Sequence, residues 1–589
     1  MKITKRSNQQ NTKSKFKSAI ATLLSDTVSV EKQKLIDLIQ IPKSTTHGQF
    51  TLPIPQLLKL VPHQDKDVLC KEIVHLQTSQ KKKFEPDSYI ESVKAQGQFL
   101  NFNVNKEEYI RETLLNVFEE KERYGHTLND RSVLIHLGSP AKHHEGHLKR
   151  MILGGFIQRI YEANGYKCYK LNDLGDEKNL YALLAVGYKK YGNSEEKDIV
   201  RHLDDVSVKI NQDMKQDLKK VTQEVSDYLR KLDQGDPETV QEWQKLRLLS
   251  RQSSEETHRR LLKDQRFEYT NDTEDYIPMV YRRLEEKGLC NQSEDGSLVV
   301  NLSDYNLGRA VIRTSDESST CLTREIAGVL VYCEKYKDVG KIIYVASVEQ
   351  ENHCKQLFKI LQIISDCPEL VHIPFGRILN MSTLSLKEIL DTAKENMLRV
   401  IKEDMRHGKY ADILKEGIVV DEQLVQGEKA VDYIADTLGI SGIITQDMAN
   451  KRVRNYHFAW DRMTDARGDT GIFLQYTHTR ICGIERKLNF PVSPHCQFSL
   501  LNEEEAFELT RAISLYPDII QTTFQSLDSS TLVLYLFKLA HMISQVNYNL
   551  RIKDVDPKLA EARLLLFWAA KTTLANGMKL IGLHPLERM

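Results

Sequence analysis

The chain has 589 residues, with 82 Lys and Arg against 82 Asp and Glu. That length exceeds what one hydrophobic core absorbs, so several domains are expected, and the charge balance excludes recruitment of nucleic acid by a global positive field. Nine cysteines, with no CxxC pair and an odd total, fit neither a disulfide framework nor a zinc knuckle; no apolar run approaches the roughly 18 residues that cross a bilayer, so a soluble protein of a reducing compartment is expected.

The first stretch, MKITKRSNQQNTKSKFKSAIATLL, has no acid before Asp26 and is rich in Lys, Ser and Thr. It reads equally as a lysine-biased mitochondrial presequence or as a first helix with Phe16, Ile20, Leu23 and Leu24 on its apolar face. Residues 15–125 then mix helical patterns with the extended stretches QFTLPIP and GQFLNFNVN and close on a charged helix through Glu122, which reads as a small α+β domain. From Ser132 to about Gly376 the candidate strands SVLIHL, YKCYKL, SLVVNL, GRAVIRT and KIIYVAS alternate with helical patterns. That alternation predicts a parallel α/β sheet and a nucleotide-binding domain.

Within it, SPAKHHEGHLKRMILGG (139–155) follows an apolar strand and leads into a helix whose Leu148, Met151, Ile152, Gly155 and Phe156 share one face. Histidines and a lysine at a helix start meet unpaired N–H groups and positive dipole, a natural seat for phosphate; the bland alternative is a solvated turn. Residues 195–287 are charged and helical and read as solvated helix faces. From about Leu384 strands vanish and helical patterns run to Met589, with Leu532, Tyr535, Leu536, Leu539, Met542 and Ile543 at helical spacing.

Several ordered strings resemble the class I arginyl-tRNA synthetases over nearly the whole length. They are SP, AK, HEGH and LKR in that order; KLNDLGD with LLAVGYKKYG; FAWDRMTDARGDTGIFLQYTHTRICGIERK; and LANGMKLIGLHPLERM. The resemblance implies a multi-domain α/β and all-α protein. Residues 1–125 would be the N-terminal α+β domain that meets the tRNA elbow, 126–383 a class I Rossmann-like catalytic domain with a helical insertion, and 384–589 a helical anticodon-binding bundle. It implies ATP-dependent activation of arginine and esterification of tRNA(Arg) by a monomer in the mitochondrial matrix or cytoplasm. Mg²⁺ would accompany ATP, with no metal ligands on the protein. Ser139, Lys142, His144, Gly146, His147, Met381, Ser382 and Thr383 would handle ATP. Glu325, Gln350, Cys321 and His136, with His353 nearby, would stand around arginine, and Phe473, Gln475, Tyr476, Tyr535 and Met589 would face tRNA.

The departures from the family pattern gather at the chemistry. SPAKHHEGH is too short to include the family's amino-acid-holding asparagine, and His136 stands where an acid is expected. Cys321 and Glu325 replace a tyrosine and an aspartate, with Glu325 keeping the charge a guanidinium needs. NMSTLSLKEIL keeps Met381, Ser382 and Thr383 but lacks the basic residues after them, and loss of a cation on the transferring phosphate costs roughly a few powers of ten. Three functions therefore stand: an arginine-tRNA ligase, a catalytically degenerate tRNA(Arg)-binding adaptor, and a nucleotidyl-transfer enzyme acting on another amino-acid-like substrate.

Overall fold

The computed structural model describes residues 11–42, 48–61, 68, 73, 89–137, 144–171, 178–193, 199–263, 274–381, 384–465, 468–488 and 490–589. The chain forms two compact units, one made of Met1–Leu128, Asp404–Ile434 and Asp465–Met589, the other of Asn129–Glu403 and Ala435–Thr464.

In the first unit the helix Thr12–Val28 begins where the Asn11 side chain accepts from the Ser14 N–H, and it buries Phe16, Ile20 and Leu24. The face expected for a first helix is thus packed, with Leu23 half-buried. Strands β1 (Phe50–Pro53), β2 (Ile90–Gln96) and β3 (Phe99–Val104) form an antiparallel sheet in the order β1-β3-β2. The charged helix Lys106–Glu120 follows. It carries Tyr109, whose hydroxyl lies 2.6 Å from Ser514 Oγ, while Lys13 pairs with Asp518 at 2.7 Å. The N-terminal layer and the C-terminal helices therefore share one core, although about 400 residues separate them.

That C-terminal bundle comprises Gly471–Lys487, Glu504–Ser514, Tyr516–Ser526, Ser529–Asn549 and Pro557–Ile581. Leu532, Leu536, Leu539 and Ile543 are buried as their spacing predicts.

The second unit is built on β4 (Ser132–His136) and β5 (Lys167–Leu171). The chain continues through β6 (Cys290–Gln292), β7 (Leu298–Asn301) and β8 (Arg309–Arg313), then β9 (Val339–Ser347) and β10 (Glu369–Phe375). The parallel sheet has the order β10-β9-β4-β5, whereas β6, β7 and β8 make a separate antiparallel sheet. SLVVNL and GRAVIRT thus leave the parallel sheet in which they were expected. The segment 302–308 between them is shorter than the dozen or so residues a parallel crossover needs.

β10 is a strand the sequence reading did not anticipate. Its Pro374 is tolerated because β10 lies at the sheet edge. A hairpin of β11 (Ile418–Val420) and β12 (Gln423–Val425) likewise interrupts the expected all-helical region. It turns through Asp421 and Glu422, both at positive φ, as a two-residue hairpin turn requires without the glycine that would have announced it.

The insertion folds as four helices, Lys178–Tyr191, Ile199–Gln216, Leu218–Asp233 and Pro237–Leu262, around a small core of its own that includes Ala182, Leu203, Ile210, Val221 and Leu246. Its last helix is tied down at its C-terminal end. Arg260 bonds Asp436 at 2.9 and 2.7 Å and Asp391 at 2.5 Å, and Lys263 donates to Thr437 at 3.0 Å.

Candidate functional site

Strand β4 ends at His136, and the helix His144–Ala163 starts eight residues on, carrying the HEGH signature into its first turn. Ser139 and Lys142 lie outside the described residues; Gly146 and His147 are half-buried on the helix. His147 Nε2 stands 2.7 Å from Nε2 of His258, a residue of the insertion's last helix. His258 is 1 % exposed. Burial, with Lys170 and Arg150 adding to it, pushes its pKa down to about 3, so the ring stays neutral.

Two residues after His147, the Lys149 ammonium lies 3.5 Å from Asp447 and 5.0 Å from the centre of the Tyr456 ring. Tyr456 donates its hydroxyl to Asp447 at 2.9 Å. Arg150 and Lys170 are buried nearby. Burial lowers the Arg159 guanidinium to about 10 and the Lys170 ammonium well below its usual value. Basic side chains back a helix whose N-terminus already favours anions, and burial weakens the charge of Lys170. His258, Asp447 and Tyr456 were invisible as site residues in the sequence because none belongs to a motif.

The second cluster is carried by the helix Cys321–Lys335, capped by the Thr320 hydroxyl, and by the helix Glu351–Ile364 that follows β9. Cys321 and Glu325 are one turn apart and share a face. The Cys321 thiol lies 3.5 Å from Glu325 Oε1, and His353 Nε2 lies 2.7 Å from Glu325 Oε2. The bond to Glu325 raises the pKa of His353, and burial opposes the shift. Gln350 sits in the turn between β9 and that helix, where its Oε1 accepts from the Ser347 N–H at 3.3 Å in a capping box.

His136 is buried, its ring 4.5 Å from that of Tyr344 and 5.8 Å from that of Tyr332, a residue of the same helix as Glu325. The structure therefore brings Cys321, Glu325 and His353 into contact and sets His136 among tyrosines. Met381 is buried, while Ser382 and Thr383 lie outside the described residues. Just before them, the Asn380 amide donates to the Phe458 carbonyl and accepts from its N–H, both at 2.8 Å. Lys387 belongs to the following helix, Leu386–Arg406.

In the first unit, the helix Gly471–Lys487 carries Phe473, Gln475 and Tyr476. Gln475 is fully buried: its amide donates to the His584 carbonyl and accepts from the Leu586 N–H, both at 2.8 Å. His478 bonds the Leu586 carbonyl at 2.8 Å, and Arg486 that of Glu587 at 2.9 Å. These bonds hold the C-terminal tail against the helix. Tyr535 is buried, with its hydroxyl on the Ala512 carbonyl at 3.0 Å, and Phe473 is buried with its ring 4.6 Å from that of His541. Tyr476 is 45 % exposed and Met589 half-buried. Of the five residues expected to face tRNA, these last two are the ones that offer surface.

Comparison with known proteins finds two family models that match this chain. One, described as tRNA synthetases class I (R), catalytic domain, matches residues 113–460; the other, the DALR anticodon binding domain, matches 474–589. Among curated relatives, a probable cytoplasmic arginine-tRNA ligase of Dictyostelium discoideum is 33 % identical, covering 98 % of this chain and 100 % of the relative. In Saccharomyces cerevisiae the cytoplasmic arginine-tRNA ligase is 32 % identical over 98 % of this chain and 94 % of its own length. The mitochondrial one is 31 % identical over 97 % and 88 %. The fold is that of arginyl-tRNA synthetase from Plasmodium falciparum, with a TM-score of 0.71 at 19 % identity over 99 % of this chain and 100 % of that one. It is also that of the Thermus thermophilus enzyme, with a TM-score of 0.70 at 19 % identity over 98 % and 99 %.

Proposed function

The chain belongs to the class I arginyl-tRNA synthetases, and from that premise we propose how its residues divide the work of an arginine-tRNA ligase. The protein activates arginine with ATP and transfers it to tRNA. The observation that carries the site reading is the buried Glu325 carboxylate, held between the His353 imidazole and the Cys321 thiol. It is an acid placed where a guanidinium can take a charge-assisted pair. His147, in the first turn of that helix, donates to the ATP phosphates together with His144, while Lys142 adds charge where it builds up on the α-phosphate. Ser139, Gly146, Met381, Ser382 and Thr383 shape the nucleotide seat.

With these groups in place, the arginine carboxylate attacks the α-phosphate and pyrophosphate leaves. The terminal ribose hydroxyl of the tRNA then displaces AMP from the adenylate to form the ester. Beside the signature helix the Asp447 carboxylate is already paired with Lys149 and with the Tyr456 hydroxyl, a poor match for a Mg²⁺ ligand. Mg²⁺ is therefore proposed to come coordinated by the triphosphate, with no ligand assigned to the protein. Tyr476 and Met589 are proposed to meet the anticodon loop of tRNA(Arg). A monomer in the cytoplasm or the mitochondrial matrix completes the proposal, supported by relatives of both compartments.

One observation favours the adaptor as a second reading. Glu325 is already paired within the chain, in a pocket where cysteine and glutamate replace the family's tyrosine and aspartate. ATP–pyrophosphate exchange, measured with arginine or citrulline and with or without tRNA, separates the two. A ligase exchanges with arginine and not with citrulline, and loses exchange in His147→Ala and Lys142→Ala while keeping tRNA binding. Absence of exchange under every condition, with tRNA still bound, would establish the adaptor.

A further inference from the structure

The signature helix and the segment that leads into Met381 come from distant parts of the chain, and both meet a third stretch, residues 447–458. On the side of the signature helix, the Lys149 ammonium lies 3.5 Å from Asp447 and 5.0 Å from the centre of the Tyr456 ring, and the Tyr456 hydroxyl donates to Asp447 at 2.9 Å. All three side chains are buried. On the other side, the backbone of Tyr456 pairs with the residues before Met381: its N–H donates to the Arg377 carbonyl at 3.0 Å, and its carbonyl accepts from the Leu379 N–H at 2.9 Å.

The pairing extends in both directions. The Gly376 N–H donates to the Arg452 carbonyl at 2.9 Å, the Arg377 N–H to the Asn455 amide oxygen at 2.7 Å, and the Asn380 amide closes on both backbone groups of Phe458. A side chain at 376 would bring its Cβ within 2.7 Å of the Arg454 and Val453 backbone, so the two segments approach as closely as glycine permits. Tyr456 thus holds the signature helix with its side chain and the Met381 segment with its backbone.

We propose that Lys149, Asp447 and Tyr456 form a positioning brace that fixes the register of the signature helix against the Met381 segment for adenylate formation. This inference rests on the reading of those two segments as the ATP seat. Taking a lysine and an aspartate out of water costs about as much as their mutual attraction returns, so a buried pair of this kind contributes little net stability. Its charge and direction nevertheless admit one arrangement and penalise others, which an apolar trio filling the same space would not do. Attack on the α-phosphate needs groups from both segments placed at once, and a misplacement of about 1 Å in such an arrangement costs up to about 100-fold in rate.

The test separates stability from rate. ATP–pyrophosphate exchange, melting temperature and tRNA binding are measured in the full-length protein for Lys149→Met, Lys149→Arg, Tyr456→Phe and the combined variant Lys149→Met/Asp447→Leu/Tyr456→Phe. Lys149→Met leaves the buried Asp447 carboxylate without its cation, so melting temperature and kcat should both fall. Lys149→Arg keeps the cation and should retain more of the rate. The combined variant carries no buried charge at these positions, so its melting temperature should return close to that of wild type. Its kcat should nonetheless stay down by roughly 10- to 100-fold, with KM for ATP little changed.

Recovery of kcat together with melting temperature in the combined variant would make the trio structural and overturn the brace. If that variant does not fold, Tyr456→Phe and the two Lys149 variants carry the test: a wild-type kcat in Tyr456→Phe, with equal rates for Lys149→Arg and Lys149→Met, would overturn it as well. If His147→Ala keeps full exchange, the signature helix is not the phosphate seat and the ATP reading fails together with the brace. If His147→Ala abolishes exchange while the combined variant keeps the wild-type rate, the brace alone is overturned.

Discussion

At the scale of single residues, the proposed arginine seat turns on the pair Glu325–His353. The carboxylate lowers the free energy of the imidazolium, so the pKa of His353 stands above its ordinary value of 6.5. The stabilisation from the pair is complete below that ordinary value and disappears as pH rises through the raised one. Imidazolium and guanidinium compete for the same oxygens, so KM for arginine should fall as the pH is taken upward through this window. The expected change is about fivefold, equivalent to about 1 kcal/mol after a partly exposed pair is discounted for screening. His353→Asn should flatten that dependence, and a KM for wild type that is constant from pH 6 to 9 would show that the two cations do not share Glu325. Sequence reasoning reached Glu325 because the segment STCLTREIAG resembles the family's arginine pocket, with Glu325 standing where the family has an aspartate. It could not reach the closed pair, since nothing in a string of residues says that a histidine 28 positions later turns back onto the acid.

At the scale of elements, the sequence was read most reliably where periodicity and burial agree, as in the helices His144–Ala163 and Ser529–Asn549. It was misread where strand pairing depends on a short connection, as in β7 and β8. The helix Gly471–Lys487 shows how an element can carry two duties on two faces. Gln475 and His478 point inward and bind the C-terminal tail, whereas Tyr476 points outward. Gln475→Leu keeps the volume and removes both partners, leaving the His584 carbonyl and the Leu586 N–H without the amide that now satisfies them. Each such buried group costs about 1–3 kcal/mol. A clear fall in the urea midpoint and early proteolysis of the tail are the expected outcomes, while an unchanged midpoint would mean that the tail is held without this side chain.

At the scale of the whole molecule, arginine-tRNA ligation requires the adenylate chemistry of one unit and the RNA recognition proposed for the other. Stacking of a base on an aromatic ring is worth about 1–3 kcal/mol, so Tyr476→Ala should weaken tRNA(Arg) binding by roughly one to two powers of ten. Aminoacylation should fall in parallel while tRNA-independent steps keep their rates. The comparison belongs at fixed salt and against a non-cognate tRNA, because phosphate contacts supply affinity for any RNA; equal binding of both RNAs by wild type and variant would remove Tyr476 from the anticodon surface. The amino-acid sequence by itself determined the family and the signature helix, and it pointed to the acid of the proposed pocket, because each is written in contiguous residues whose spacing and chemistry are local. Only the tertiary structure decided that the N-terminal layer shares its core with the C-terminal helices, that Gln475 and Tyr535 serve the fold, and that His258 meets His147. Those contacts join residues from 23 to more than 400 positions apart, and long-range packing, not local pattern, selects them.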